Sequence, residues 1–367
     1  MNTTNIAFRA DSSRQIGTGH VMRCLTLAHR LRDRGAQCSF ISRALPGAVT
    51  KAISDAGFEL ALLPAPDSAV PDSPTVNATW AGVDWARDAQ ETRSIVENWR
   101  PTWLISDHYA FDKRWEDAVR SGDTKLMAID DLADRPHSVD LLLDQNKGRL
   151  SSDYDGLVPK AAVRLIGPRF ALLRPQFVQA RSESLARRTD AGLRHIMVSM
   201  GGTDADNATV QVLDVLARVG LAKGTAVTVV MGSTAPFLKD VRQHAAKMPF
   251  AATVRTDVRD MAQLMLQTDL AIGAAGGTAW ERCCLGLPTL MLVLAQNQRA
   301  GGQALAEAGA AVLLGEIDSS GWRARLADFL RDDDVLTLLE NMSQQARAIT
   351  DGQGSSRVAS KILETSE

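Results

Sequence analysis

The chain of 367 residues is short of most features that mark a specialised class of protein. Its four cysteines, Cys24, Cys38, Cys283 and Cys284, are too few and too oddly spaced for a disulfide framework. The vicinal pair lies in an apolar stretch and suits neither a bridge nor a CxxC zinc site, so all four read as small core residues. No sign of charge dominates, since 41 Lys+Arg stand against 43 Asp+Glu for a formal net charge of −2. That removes the electrostatic footprint of a general nucleic-acid binder. No run approaches the ~20 apolar residues of a membrane span, and the opening residues MNTTNIAFRADSS lack the charged and apolar regions of a secretory signal. The expectation is a cytoplasmic protein with no membrane and no nucleic-acid partner. Internal repeats and low-complexity segments are missing too. The seven tryptophans read as core and loop anchors rather than as a base-stacking platform.

What is present is an ordinary globular composition, 45% hydrophobic and 23% charged, long enough for two domains that each bury a full core. Short apolar runs at Ile6-Ala7-Phe8, Ser39-Phe40-Ile41, Leu60 to Leu63, Trp103-Leu104-Ile105, Leu126 to Ile129 and Leu141-Leu142-Leu143 fit a buried parallel sheet. Between the first two, Val21, Cys24, Leu25, Ala28 and Leu31 recur at helical spacing. Arg23, His29, Arg30 and Arg32 take the other face, and Gly35 stops the helix. Residues 64–84 hold four prolines and no period, which predicts a long loop before the helix-like WARDAQETRSIVENW. The rhythm weakens from Asn146 to about Arg194, and the charged stretch Arg181 to Asp190 reads as an interdomain connection. It resumes with strands at 195–198, 226–231, 252–254, 270–272, 289–294 and 311–314. The fold class is therefore α/β, with two doubly wound Rossmann-like domains facing across a cleft. Their expected bounds are 1–175 and 176–350, with 351–367 a helix that packs back on the first domain.

Open α/β sheets bind ligands outside the carboxyl ends of their strands, so the loops there carry the argument. After the first strand, RADSSRQIGTGH brings Gly17 and Gly19 around Thr18 and sets His20 at a helix N-terminus. That position disfavours the imidazolium and suits a general base. A histidine that merely caps its helix is the plain alternative. In the second half, Ser199-Met200-Gly201-Gly202-Thr203-Asp204 and Gly273-Ala274-Ala275-Gly276-Gly277-Thr278 both follow strands, and exposed amides at such junctions suit a diphosphate. Thr278 adds a hydroxyl. Glu281 is placed either to accept from a ribose hydroxyl or to close a capping box with Thr278. Asp107-His108-Tyr109 ends a strand, and Asn297 ends another within reach of a sugar or phosphate. Asp130-Asp131 has no third ligand at recognisable spacing, so no metal and no cofactor are expected.

In order along the chain, RADSSRQIGTGHVMRC, DHYAFD, IDDLADRPH, FALLRPQF, SMGGTD, GAAGGTAWERCCLGLP and AQNQ resemble the UDP-2,4-diacetamido-2,4,6-trideoxy-beta-L-altropyranose hydrolases of pseudaminic acid biosynthesis. The resemblance implies a glycosyltransferase-B type architecture and a metal-independent hydrolase. In it His20 activates water against the anomeric carbon, with inversion and release of UDP. It places the UDP-sugar substrate and UDP product on the second domain, with Gly201 and Gly202 nearby, Gly276, Gly277 and Thr278 on the pyrophosphate, Glu281 on the ribose and Asn297 near phosphate or sugar. Arg9, Asp11, Gly17, Gly19 and Tyr109 complete the expected substrate contacts, and the protein is expected to act as a monomer. Two alternatives stand beside this reading. One is a UDP-sugar-dependent glycosyltransferase, for which Leu45 to Ala56, with Lys51, is the only candidate apolar or basic acceptor surface. The other is a non-catalytic nucleotide-sugar sensor.

Overall fold

The computed structural model describes residues 4–66, 78–188 and 192–366. Most of the proline-rich segment, 67–77, and the end of the charged stretch, 189–191, lie outside them. The chain divides into two compact units, residues 1–172 with 354–367, and residues 173–353.

The first unit runs β1 (Asn5–Ala10), α1 (Gly19–Arg32), β2 (Gln37–Arg43), α2 (Thr50–Asp55), β3 (Glu59–Leu63), α3 (Trp85–Trp99), β4 (Trp103–Asp107), α4 (Lys113–Val119), β5 (Lys125–Ile129), β6 (Leu141–Asp144) and β7 (Val163–Ile166). Its strands form one parallel sheet in the order β3-β2-β1-β4-β5-β6-β7. The period of two along β1 sorts its side chains onto two faces. Ile6, Phe8 and Ala10 face α1, while Ala7 joins the core that holds Trp115 on the opposite side. Helix starts are satisfied locally: the Asp84 carboxylate accepts from Ala86 N at 2.6 Å and Asp112 from Arg114 N at 2.9 Å. Each such cap contributes about 1 kcal/mol.

The second unit runs α5 (Pro175–Arg187), β8 (His195–Ser199), α6 (Ala208–Val219), β9 (Ala226–Met231), α7 (Leu238–Ala245), β10 (Ala251–Thr256), α8 (Met261–Gln267), β11 (Leu270–Ala274), α9 (Thr278–Cys284), β12 (Thr289–Val293), α10 (Arg299–Glu307), β13 (Val312–Glu316), α11 (Trp322–Arg331) and α12 (Val335–Ile349). Its parallel sheet has the order β10-β9-β8-β11-β12-β13. The chain then returns to the first unit as α13 (Gly354–Glu364), whose Val358, Ala359 and Ile362 are sealed into the same core as Val21 and Leu31 of α1.

The two parallel α/β sheets are as the apolar runs predict, and all four cysteines are buried and free. Two elements differ from the sequence expectation. Strand β7 lies where the rhythm weakens, because this four-residue edge strand buries only Leu165 fully. The charged stretch from Arg181 is the end of a helix rather than a connection. Its arginines point inward: Arg181 donates to the Thr350 carbonyl at 3.0 Å, and Arg188, just beyond the helix, to Leu285 O, Thr268 O and Met265 O. The buried face there is the cationic one, which a search for apolar periodicity reads backwards.

Candidate active site

Each sheet reverses its strand order once, between β1 and β4 in the first unit and between β8 and β11 in the second. These are the topological switch points, where adjacent loops leave in opposite directions and open a crevice.

At the first, the loop after β1 turns at Gly17, whose φ of +78° favours glycine, and its amide donates to Ser13 O at 2.9 Å. This delivers His20 in the first turn of α1, 7% exposed. Across the switch point Asp107, the last residue of β4, is fully buried and its Oδ1 lies 2.6 Å from His20 Nδ1. Arg23, one turn further along α1, grips the same carboxylate from Nε at 2.5 Å and Nη2 at 2.7 Å. Burial alone would raise the Asp107 carboxyl, but Arg23 and then His20 outweigh it and hold it well below the usual carboxylate range. An ionised Asp107 only accepts, so the proton of the neutral imidazole sits on Nδ1 and Nε2 keeps its lone pair. Arg23 Nη2 lies further off, 3.5 Å from Nδ1, and an Nδ1 whose proton is given to Asp107 has no lone pair to accept from it.

A second carboxylate extends the network. Asp131 accepts from Arg23 Nη1 at 2.7 Å and from the Tyr109 hydroxyl at 2.7 Å. Burial, then Asp131, pushes the Tyr109 phenol well above its ordinary value, so it remains a donor. The Tyr109 ring meets the His20 ring edge-on at 4.7 Å, and Trp80 stacks on Tyr109 at 5.2 Å. The imidazole thus lies in an aromatic corner.

Arg9 and Asp11 require a correction. Both are 0% exposed. Arg9 alternates with Phe8 on β1 and is carried under α3, where Nη2 donates to Asp88 at 2.6 Å and Nη1 to Asp11 at 2.6 Å. Asp11 also accepts from Arg43 N at 2.7 Å and Ser42 Oγ at 3.3 Å. They form the floor beneath the site and have no surface to offer a ligand. Arg23 is corrected in the other direction, from a solvated face into the center of the site. Asp130 and Asp131 are held by cations: Asp130 lies 3.0 Å from Arg135 Nη1 and Asp131 is gripped by Arg23. Among the described residues no group of three or more His, Cys, Asp or Glu is arranged to hold a metal ion.

At the second switch point the loops after β8 and β11 lie side by side, Ser199 paired in register with Gly273. Gly201 and Gly202 follow β8, and Asp204 closes that loop by accepting from Ala208 N at 2.9 Å and Thr209 N at 3.1 Å, a helix cap. After β11, Gly276 is half-buried while Gly277 and Thr278 are exposed. Glu281 makes no capping box with Thr278. It accepts from Arg174 Nη2 at 3.1 Å, and burial raises its carboxyl despite that partner. Asn297 is exposed in a short 3-10 turn after β12. Sequence reasoning missed Asp107 and Arg23 as partners of His20, and missed Trp80 altogether. The lone tryptophan in a proline-rich stretch was the available signal for Trp80; the Asp107 pairing had none.

Two parallel-sheet α/β units of this topology have the glycosyltransferase-B type of fold. MurG of Acinetobacter baumannii has the same fold, with a TM-score of 0.68 at 15% identity over 98% of this chain and 99% of that one. A UDP co-structure of MnaA from S. aureus gives 0.63 at 13% identity, over 99% and 97%. Residues 195–353 match the glycosyltransferase family 28 C-terminal domain. Over 306 residues, 83% of this chain and 97% of the relative, the sequence is 28% identical to the UDP-2,4-diacetamido-2,4,6-trideoxy-beta-L-altropyranose hydrolase of Campylobacter jejuni. The chain is similar to that hydrolase over most of its length.

Proposed function

We propose that the protein hydrolyses a UDP-sugar, and that the sugar is that of its Campylobacter jejuni relative. The observation that carries this reading is the 2.6 Å contact between His20 Nδ1 and the buried Asp107, which leaves Nε2 as the basic nitrogen. Water gives its proton to His20 Nε2 as its oxygen attacks the anomeric carbon. The bond from that carbon to the β-phosphate oxygen breaks, UDP departs with the electron pair, and the free sugar carries the inverted configuration. Asp107 stabilises the imidazolium so formed, a role familiar from histidine bases backed by a carboxylate. Gly276, Gly277 and Thr278 hold the diphosphate, Gly201 and Gly202 line the neighbouring loop, Glu281 and Asn297 take ribose and sugar, and Tyr109 closes on the sugar.

A transferase would need an acceptor surface. The stretch named for it turns inward: Leu45 and Ile53 are buried, Val49 and Ala52 pack on the same core, and Lys51 is paired with Asp55. Among the described residues no helix is long and apolar enough to cross a membrane.

Proton NMR of the protein with UDP-2,4-diacetamido-2,4,6-trideoxy-beta-L-altropyranose and no acceptor tests the proposal. UDP and a free reducing sugar, first seen as the inverted anomer, are the expected products. The His20→Ala variant should lose turnover and retain UDP binding. A substrate that binds and persists would transfer the reading to a transferase.

A further inference from the structure

Among the described residues, a buried arginine that makes no ion-pair contact with a carboxylate lies beneath the second unit's glycine loop. Arg282 is 1% exposed. Its Nη2 donates to Ala274 O at 2.7 Å and its Nη1 to Thr278 Oγ1 at 3.2 Å, while its buried Nε has no partner. Both acceptors are neutral. The adjacent Glu281 is turned to Arg174 instead. Other buried guanidinium groups in the chain are matched: Arg9 and Arg43 meet Asp88, and Arg23 meets Asp107 and Asp131. Arg188 also lacks a carboxylate, but each of its three nitrogens bonds a carbonyl, two of them, Met265 O and Thr268 O, at the C-terminal end of α8, where the helix dipole is negative. Arg282 has only the longer-range field of Glu281, which is itself paired with Arg174. Burial pushes it down to about 10, which leaves it a cation at neutral pH.

The local structure makes room for this charge. A Cβ at Gly273, in β11, would stand 2.8 Å from Arg282 Nη1 and 2.8 Å from Ser199 O, so a glycine is needed where the guanidinium passes between the two strand ends. The arginine also sets the polarity of Thr278. A guanidinium has only donors, so Thr278 Oγ1 accepts and its own proton is aimed elsewhere, from an exposed side chain. Among the described residues the amides of Gly276 and Gly277 donate to nothing within the protein. The loop therefore presents a hydroxyl and two amides, all donors, in front of a buried cation. An isolated buried charge is costly unless an opposite charge joins it, and this donor set suits an anion with several acceptor oxygens.

We infer that Arg282 is a positioning residue for an anion bound at the 274–278 loop, supplying the positive charge behind it and orienting the Thr278 hydroxyl toward it. That the anion is the diphosphate of UDP rests on the UDP-sugar reading; that it is a phosphate-class anion does not.

Calorimetric titration of the full-length protein with UDP, uridine and inorganic pyrophosphate at one ionic strength tests this. Arg282→Met should weaken UDP about tenfold or more and leave uridine within about twofold, since only the charged part of the ligand senses the cation. Arg282→Lys should keep UDP within about threefold of the parent by retaining the charge. Thr278→Val should weaken UDP in the parent and add nothing in the Arg282→Met background, because the two act on one contact. Equal losses for UDP and uridine, or an unchanged UDP affinity in Arg282→Met, would overturn the inference. Should that variant not fold, Thr278→Val decides: selective loss of UDP supports it and no loss overturns it. If the parent binds pyrophosphate in an Arg282-dependent way but not UDP, the UDP-sugar reading fails alone.

Discussion

At the scale of single residues, the chemistry depends on which nitrogen of His20 is free, and that is decided by a neighbour 87 positions away in sequence. Asp107→Asn keeps the shape of the contact but offers an amide that can donate to Nδ1, which stabilises the tautomer with its proton on Nε2. Turnover should fall by about 10²- to 10⁴-fold with UDP affinity little changed, read by steady-state kinetics beside calorimetry, while the melting temperature falls because Arg23 loses one of its two carboxylates. A variant that loses UDP binding in step with turnover would make Asp107 a general support of the fold. The position of His20 at a helix start was legible in the sequence, because glycines and the apolar stripe of α1 announce it. Its partners were not. Arg23 lies on the polar side of that stripe, and only the pairing of β1 with β4 shows that two carboxylates lie opposite it.

At the scale of elements, the site stands on a buried ionic layer between β1, β2 and α3. Asp88 of α3 accepts from Arg9, Arg43 and the Trp115 indole, and all these groups are sealed from water. Asp88→Ala leaves two guanidinium groups short of a counter-charge and should cost about 3–5 kcal/mol, measured by urea denaturation. The closing helix α13 contributes in the more familiar way. Ile362 is fully buried, Trp103 Nε1 donates to Ser366 Oγ at 3.0 Å, and Arg30 Nε donates to Ser356 Oγ at 3.0 Å. Ile362→Ala should destabilise the first unit by about 2–5 kcal/mol, and hydrogen exchange should accelerate in α1 rather than in the second unit. Strands that alternate or run apolar were legible. Strand β7 and helix α5 were not, the first for want of burial and the second because its arginines point inward.

At the scale of the whole molecule, the two units differ in how they hold charge. Asp11, Asp88, Asp107 and Asp130 all belong to the first unit. Burial alone would raise each, but guanidinium and imidazole partners outweigh it and hold them below the ordinary carboxylate range. For such groups the unfolded chain takes up protons first, so the stability they contribute is complete above about pH 4 and is lost as pH falls through their folded values. Asp144 has the opposite sign: burial and the nearby Asp131 push it up to about 6, so its contribution is full below about pH 4 and lost as pH rises through 6. Four buried lowered groups against one raised predict that the first unit unfolds first in acid. Glu281, the raised carboxyl of the second unit, adds no acid sensitivity there. Thermal melts from pH 7 to pH 3, followed by hydrogen exchange on peptides of each unit, check this. Loss of the second unit before the first would contradict it.

The sequence by itself determined the class of the molecule. Runs of strand-forming apolar residues between amphipathic segments leave few ways to bury both faces of a sheet, and two such series make two parallel α/β units. It also marked the glycine loops and His20, because tight turns and helix starts are written in local residue types. Only the tertiary structure decided what those loops face. Strand order carries Asp107 to His20 and sets Ser199 beside Gly273, and it puts Arg9 beneath the site instead of within it. The physical reason is that a charged side chain has no intrinsic side to take: whether it meets water, a ligand or a buried partner depends on elements far away in the chain, and the cost of leaving it unpaired selects among them.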